Sequence, residues 1–348
     1  MKEKEPLISI IILNYNAGNL LLECVKSIIN SNYKKLEIII VDNVSKDNSH
    51  KICKKKFTDI ILIENKKNLG YCGGNNIGIE QANGEFLVIL NPDVIVESNW
   101  LNELLIAFRK YGDGLYQPKI LATTDHSIII SAGNMIQLFG FGFARGKGEN
   151  DKGQYEKDEE VGYASGTCLF SSGDIFKEIG NFDSYFFAYH YDLYLCWKGR
   201  LKGIRSFYIH KSIIYHPLEG YSFKWNSFKY FLMERNRLYC LKKNFSKKTI
   251  FKMLPSLILV DIAVTLFYLK KGFIFEKIKA NLNILKNYNT ISRNHNLIQQ
   301  NRIIEDNEII KKFTNKIEIP QWVLEKENNN SLNKILEKLS KISRITFK

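Results

Sequence analysis

Apolar residues follow two different periods along this chain. Over the first hundred residues, near-continuous runs at Ile8–Leu13 (ISIIIL), Glu37–Val41 (EIIIV), Ile60–Ile63 and Phe86–Leu90 (FLVIL) have the length and β-branched content of buried strands. Between them, Leu20, Leu21, Cys24, Val25, Ile28 and Ile29 recur at helical spacing, and Gly74–Gln81 and Trp100–Phe108 read as further helices. This alternation predicts an α/β, Rossmann-like domain with a mostly parallel central sheet and helices on its faces. Ligands bind such sheets at the carboxyl ends of the strands. Each run ends there in polar residues: Asn14, Tyr15 and Asn16; Asp42, Asn43, Ser45 and Asp47; Asn65, Asn68 and Gly70; Asn91, Pro92 and Asp93. Asn and Asp are common turn formers, so any one end is explicable as a loop. Four converging on one edge define a candidate binding site.

The period changes in the last third. Met253–Leu269 (MLPSLILVDIAVTLFYL) is apolar but short of the roughly 20 residues a spanning helix needs, and it carries Asp261 near its centre. A helix lying in a membrane interface, or packed on its own protein, fits it better. Ser331–Lys348 places Leu332, Ile335, Leu336, Leu339, Ile342 and Ile345 at helical spacing among basic residues, which suits a membrane surface or a docking helix equally. The Asn-rich stretch Glu325–Asn330 reads as a linker.

Charge sharpens this division. The 348 residues carry a net +14, yet residues 1–245 hold 31 basic and 27 acidic residues, whereas 246–348 hold 19 and 9. A basic tail points to an anionic surface, or to simple solubility. Nucleic acid is not the expected partner, because interleaved aromatics are missing. Six scattered cysteines with no CxxC pair argue against a zinc ribbon or a disulfide framework and fit a reducing compartment. The short apolar run near the N-terminus ends in polar residues, so no signal peptide is expected. A dinucleotide oxidoreductase would want GxGxxG after the first strand, where this chain has Asn14-Tyr15-Asn16-Ala17-Gly18.

The motifs resemble family 2 glycosyltransferases, especially their rhamnosyltransferase-like branch, from about Leu7 to His216. The segments carrying the likeness are Asn14-Tyr15-Asn16, IIIVDNVSKDNS (residues 38–49), NLGYCGGNNIGI (68–79), Gly84-Glu85-Phe86 and Leu90–Asp93. The resemblance implies a GT-A type domain, with Asn14, Tyr15, Asp42, Asn68 and Asn91 contacting a nucleoside-diphosphate sugar. In it Asp42 would accept the imide N–H of a uracil or thymine base. Asp93 stands in the family's metal motif, with Asn91 replacing an acidic residue, and His216 would be a second ligand of Mg²⁺ or Mn²⁺; alone, a His after a strand is more often structural. Arg235 and Arg237 match a basic pair suited to diphosphate oxygens.

On the acceptor side, YASGTCLFSS (163–172) and GNFDSYFFAYHYDLYLCWKGRLKG (180–203) resemble the family's acceptor segments. Asp192 falls on the carboxylate that acts as general base. Tyr191 and Tyr194 stand where Glu and Asp are usual, and Lys198 replaces Arg. By its own context Asp192 also suits a helix N-cap, and Asp183 is a nearby alternative carboxylate. The expectation is an inverting transfer of a hexose such as rhamnose to a glycan or lipid-linked acceptor, by a protein peripheral on the cytoplasmic face of the cell membrane. The rival is a nucleotide-sugar-binding relative without turnover. The expected domains are a catalytic unit over 1–245 (nucleotide half to about 115, acceptor half 116–245), a helical membrane-associating region over 246–325, and a basic amphipathic helix over 326–348.

Overall fold

The computed structural model describes residues 5–218, 226–318 and 331–347; the linker expected at Glu325–Asn330 lies outside them. The first half alternates β1 (Ile8–Asn14), α1 (Asn19–Asn30), β2 (Leu36–Asp42), α2 (Ser49–Lys56), β3 (Ile61–Glu64), α3 (Gly70–Gln81) and β4 (Phe86–Leu90). Next come β5 (Ile95–Val96), α4 (Trp100–Tyr111), β6 (Gly114–Ala122), β7 (Ile129–Ser131), β8 (Asn134–Ile136), β9 (Gly142–Ala144) and β10 (Glu159–Glu160). The sheet region closes with β11 (Cys168–Ser172), α5 (Gly173–Ile179), α6 (Tyr191–Leu201) and β12 (Arg205–His216). The tail is helical: α7 (Ser227–Asn244), α8 (Lys247–Lys270), α9 (Ile274–Lys286), α10 (Tyr288–Gln300), α11 (Asp306–Lys311) and α12 (Ser331–Ile345).

The main sheet runs β10-β12-β6-β11-β4-β1-β2-β3. The β4-β1-β2-β3 half is parallel, as is the β12–β6 pair, while β11 is inserted antiparallel between β4 and β6. The unbroken apolar runs of β1, β2 and β4 follow from burial on both faces, whereas β3, at the edge of the sheet, is largely exposed or half-buried. In β1, Ile8, Ile10 and Ile12 join Leu21, Val25 and Leu104 in one core. Ile11 points the other way, into a core with Ile39, Leu87 and Ile89. Helix α3 lies so close on this second face that a Cβ on Gly78 would fall 2.4 Å from Ile11 Cγ2. That spacing requires a residue without a side chain.

The second core does not stop at the sheet. It continues through Tyr239, Met253, Val264, Ile284 and Leu336, so the helical tail shares one interior with the α/β region. Trp197 of α6 sits between Phe245 and Phe313 of the tail, each ring centroid 4.8 Å away. Helix α12 is docked rather than free: Leu336 and Leu339 are buried, Ser343 donates to Ser256 Oγ at 2.8 Å, and Gln137 Nε2 donates to Ser340 Oγ at 2.9 Å. All six cysteines are buried thiols.

Candidate active site

The parallel half of the sheet brings the first two polar strand ends side by side, with Asn14 in register with Asp42. Asn14 Nδ2 donates to Asp42 Oδ1 (2.8 Å), Ser45 Oγ (3.0 Å) and Ser49 Oγ (2.9 Å). Asp42 is buried; its Oδ2 accepts the Ser45 N–H at 2.8 Å, and its Oδ1 lies 3.2 Å from His50 Nδ1. His50 Nε2 in turn meets Glu64 Oε1 at 3.1 Å. The loops after β1 and β2 are joined as well: the Asn16 N–H donates to Ser45 Oγ, the Lys46 N–H to Asn16 Oδ1, and the Gly18 N–H to Asp47 Oδ2. Burial alone would raise the Asp47 pKa, but the hydrogen bonds from Ser49 and Gly18 outweigh it and hold the carboxyl below its ordinary value. Tyr15 is 44% exposed on this rim, and Asn68 accepts the Gly70 N–H at 2.8 Å to open α3. Asn14 and Asp42 thus share one hydrogen-bonded network, in which much of Asp42's accepting capacity is already engaged by protein donors.

The next strand end adjoins it. Asn91 follows β4, and its N–H donates to Thr167 O at 3.0 Å, in the loop that enters β11. Asp93 is buried, with Oδ1 3.3 Å from His216 Nε2 at the end of β12. A register shift in β12 between Ile209 and Ile213 sets the pairing that carries His216 to this edge. His216 Nδ1 lies 2.7 Å from Pro217 O. A carbonyl only accepts, so Nδ1 carries a proton, and this bond turns Nε2 toward the Asp93 carboxylate. An imidazole oriented through its other nitrogen, next to a carboxylate oxygen, is a donor set that fits a divalent cation. Among the described residues no cluster of three or more His, Cys, Asp or Glu side chains surrounds it. Such an ion would complete its coordination with substrate oxygens and water.

Asp192 faces the same edge from the acceptor side. Its Oδ2 accepts the Gly166 N–H at 3.0 Å, one residue from the Thr167 carbonyl that holds Asn91. Its Oδ1 accepts the Leu193 N–H at 2.9 Å. Burial raises the Asp192 pKa above the ordinary carboxylate value, against the pull of these hydrogen bonds. The N-cap reading is corrected: His190, in the left-handed conformation, caps α6, and Asp192 lies in the first turn. Burial, with the Arg237 charge adding to it, pushes the His190 pKa down to about 4, so this imidazole is neutral at pH 7.

The segment leading to Asp192 is unusual. Phe187, Tyr189 and His190 have φ of 61°, 62° and 59°, which is sterically unfavourable for aromatic side chains and persists only under external constraint. The constraints are visible. Asn236 Nδ2, on α7, donates to Phe186 O (3.2 Å), Ala188 O (2.7 Å) and Tyr189 O (2.8 Å). Arg235 Nη2 donates to Tyr185 O (2.7 Å) and Phe186 O (2.9 Å). The Tyr71 N–H donates to Phe187 O at 2.6 Å. Gly70 (φ 68°) makes that approach possible, since a Cβ there would lie 2.5 Å from Phe187 O.

The residues that depart from the family pattern have local partners. Tyr191 stacks on Tyr71 (centroids 3.9 Å apart, 17° between planes), and Tyr71 donates its hydroxyl to Gly166 O at 2.5 Å. Tyr194 is buried beneath Lys243. Asp183 is engaged elsewhere, accepting from Lys243 Nζ (2.7 Å) and Tyr239 Oη (2.8 Å). Arg237 is buried with its fork on Glu234 (2.7 and 2.8 Å) and Phe139 O (3.0 Å). Both arginines are held by protein groups, Arg235 through Nε and Nη2 and Arg237 through all three guanidinium nitrogens. The sequence reading passed over the Gly166 N–H, His50, the Tyr71–Tyr191 stack and Asn236. Of these, Asn236 stands between the two arginines, and Tyr191 stands where the family has Glu.

An α/β domain whose strand ends gather amides, two carboxylates and an imidazole on one edge has the form of a nucleotide-sugar transferase. The sequence model described as "Glycosyl transferase family 2" matches residues 9–180, and that region is a domain of this family. It is 28% identical over 250 residues to the low-salt glycan biosynthesis hexosyltransferase Agl10 of Haloferax volcanii, covering 69% of this chain and 77% of that protein. It is 28% identical over 218 residues to the GalNAc(5)-diNAcBac-PP-undecaprenol beta-1,3-glucosyltransferase of Campylobacter jejuni, covering 60% of this chain and 63% of that protein. Among solved structures, GalNAc-T7 with UDP, GalNAc and Mn²⁺ shares the fold, with a TM-score of 0.59 at 16% identity over 74% of this chain and 52% of that one. The names of these two relatives specify a hexosyltransferase and a glucosyltransferase, not a rhamnosyltransferase.

Proposed function

We propose that the chain transfers a hexose, rhamnose or a similar sugar, from a uridine- or deoxythymidine-diphosphate donor to a lipid-linked glycan, with inversion at the anomeric carbon. The observation that carries this reading is the Asp192 carboxylate, held by the Gly166 N–H beside the Asn91–Asp93 segment. Asn14, Tyr15, Asp42 and Asn68 form the rim for the nucleotide. Asp93 and His216 would hold Mg²⁺ or Mn²⁺, which supplies charge neutralisation for the diphosphate. Asp192 takes the proton of the acceptor hydroxyl as that oxygen attacks the anomeric carbon from the face opposite the diphosphate. A base whose pKa is raised toward neutrality is better matched to that proton, and such help contributes about 10²–10⁴-fold. The Tyr71–Tyr191 stack borders this carboxylate and offers an aromatic wall for the acceptor sugar.

Two observations support a lipid-linked acceptor. One Campylobacter relative is named for an undecaprenol-linked substrate, and the positive charge is concentrated in the tail. Together they favour a position on the cytoplasmic face of the membrane. The test is Asp192→Asn: sugar transfer is expected to fall by about 10²-fold or more while nucleotide binding, read as thermal stabilisation by UDP with Mn²⁺, is retained. Transfer at a near wild-type rate would remove Asp192 as the base. Nucleotide binding by the wild type, with neither transfer nor donor hydrolysis, would leave a binding protein.

A further inference from the structure

Helix α8 contacts the protein along one narrow stripe, through Thr249, Met253, Ser256, Val260, Val264 and Tyr268. The rest of its circumference would ordinarily be polar. Instead Phe251, Leu254, Ile258, Ile262, Leu266 and Leu269 are between 44% and 77% exposed. Helix α9 folds back beside it after a turn at Gly272, and its outward stripe is also apolar: Phe275, Ile278, Leu282 and Leu285 are 48–70% exposed. The two helices are pinned together from beneath. Buried Lys277 donates to Glu234 Oε1 at 2.7 Å and also bonds Asp261, while Glu234 pairs with Arg237. A groove of about 380 Å³ between α7 and α8 adjoins this face, lined mostly by apolar residues such as Leu241 and Leu257, with Arg237, Lys242 and Asp261 also in its wall. An apolar surface of this extent marks a contact site.

Charge identifies the occupant. Lys247, Lys248, Lys252, Lys270, Lys279 and Lys286 are exposed around the hairpin. Of its two acidic residues, Glu276 is buried, and Asp261, half-exposed, has its charge taken up by Lys277. Two copies of the face would set like charges against each other, whereas anionic lipid headgroups complement them. The helix of Lys247–Lys270 is long and apolar enough to cross a membrane. Crossing would strip its packed stripe and the Asp261–Lys277 pair from the protein, whereas lying flat keeps both.

We propose that the outward face of the α8–α9 hairpin is a lipid-binding surface that lies in the plane of an anionic leaflet, with the lysines at the headgroups and the α7–α8 groove open to a lipid chain. The surface is argued from the hairpin itself; that it brings a lipid-linked acceptor to Asp192 rests on the function proposed above.

The test is sedimentation of the full chain with vesicles of phosphatidylcholine, with and without phosphatidylglycerol, at low and high salt. The wild type is expected to pellet with the anionic vesicles and to be released by salt. The variant Ile262→Gln/Leu266→Gln/Phe275→Gln/Leu282→Gln, changed only at exposed positions, is expected to lose partitioning by at least about tenfold, with its melting temperature in buffer unchanged. Lys248→Gln/Lys270→Gln/Lys279→Gln is expected to abolish the preference for anionic vesicles. Should the fourfold variant fold poorly, Phe275→Trp alone reports insertion by a blue shift of its fluorescence with anionic vesicles. Wild type left in the supernatant, equal partitioning of wild type and fourfold variant, or no blue shift would overturn the proposal. So would a wild-type dimer in light scattering that the fourfold variant converts to a monomer without any vesicle binding. Stabilisation by UDP or by dTDP with Mn²⁺, measured on the same samples, separates the two readings: the absence of both removes the proposed donor site and leaves the surface standing.

Discussion

Asp192, the proposed base, is also a source of instability. Burial raises its carboxyl pKa above the ordinary value, so in the folded protein the ionised form is disfavoured relative to the unfolded chain. Its stabilising contribution is therefore present below the unfolded carboxylate pKa and lost as pH rises through the folded value. Asp192→Asn is expected to melt higher than the wild type at neutral pH, with the gap closing in acid, as melting temperatures across a pH series will show. The same shift places the acid limb of the transfer-rate profile above the range of an exposed carboxylate. Asn236 is the complementary residue. Its amide donates to three carbonyls of the left-handed segment before Asp192. Asn236→Ala is expected to cost about 1–3 kcal/mol of stability. It should also lower kcat by about tenfold or more, since a shift of about 1 Å in a reacting group is that damaging, while UDP affinity is kept; equal losses in both would mark it as merely structural.

At the scale of elements, the strands and the helices between them were legible because each obeys a local period. The near-continuous run at Ile8–Leu13 is a strand buried on both faces, and the spacing from Leu20 to Ile29 is α1. Glycine spacing in the 68–79 segment was legible as a motif, but its cause required the structure, namely the approach of α3 to β1. Gly78→Ala is expected to destabilise by about 1–3 kcal/mol through overpacking against Ile11, read as a lowered midpoint in urea. What could not be read from the sequence depends on contacts between distant segments. The antiparallel insertion of β11, the Asp42–His50–Glu64 chain and the hold of α7 on residues 185–189 leave no period behind them. Helix α8 was legible as apolar, but its role awaited Lys277, which takes up the Asp261 charge.

For the whole molecule, composition suggested a catalytic unit followed by an appendage, whereas the interior is continuous from Ile11 to Leu336. Trp197 lies at the junction, packed on Phe245 and Phe313. Unfolding is therefore expected as one cooperative transition, with tryptophan fluorescence and far-ultraviolet circular dichroism coinciding in urea. Two separated transitions would show that the helices and the sheet are independent units.

The Asn236 clamp has a consequence for how the enzyme comes into being. Residues 9–180 contain most of the family's recognisable motifs, yet the backbone preceding Asp192 is fastened by a helix that begins at Ser227. While the chain emerges from the ribosome, Phe186, Ala188 and Tyr189 have no partner for their carbonyls on α7 until Asn236 has been made. On the proposed role of Asp192, an unfinished polypeptide would therefore lack the geometry to consume activated sugar until α7 has docked.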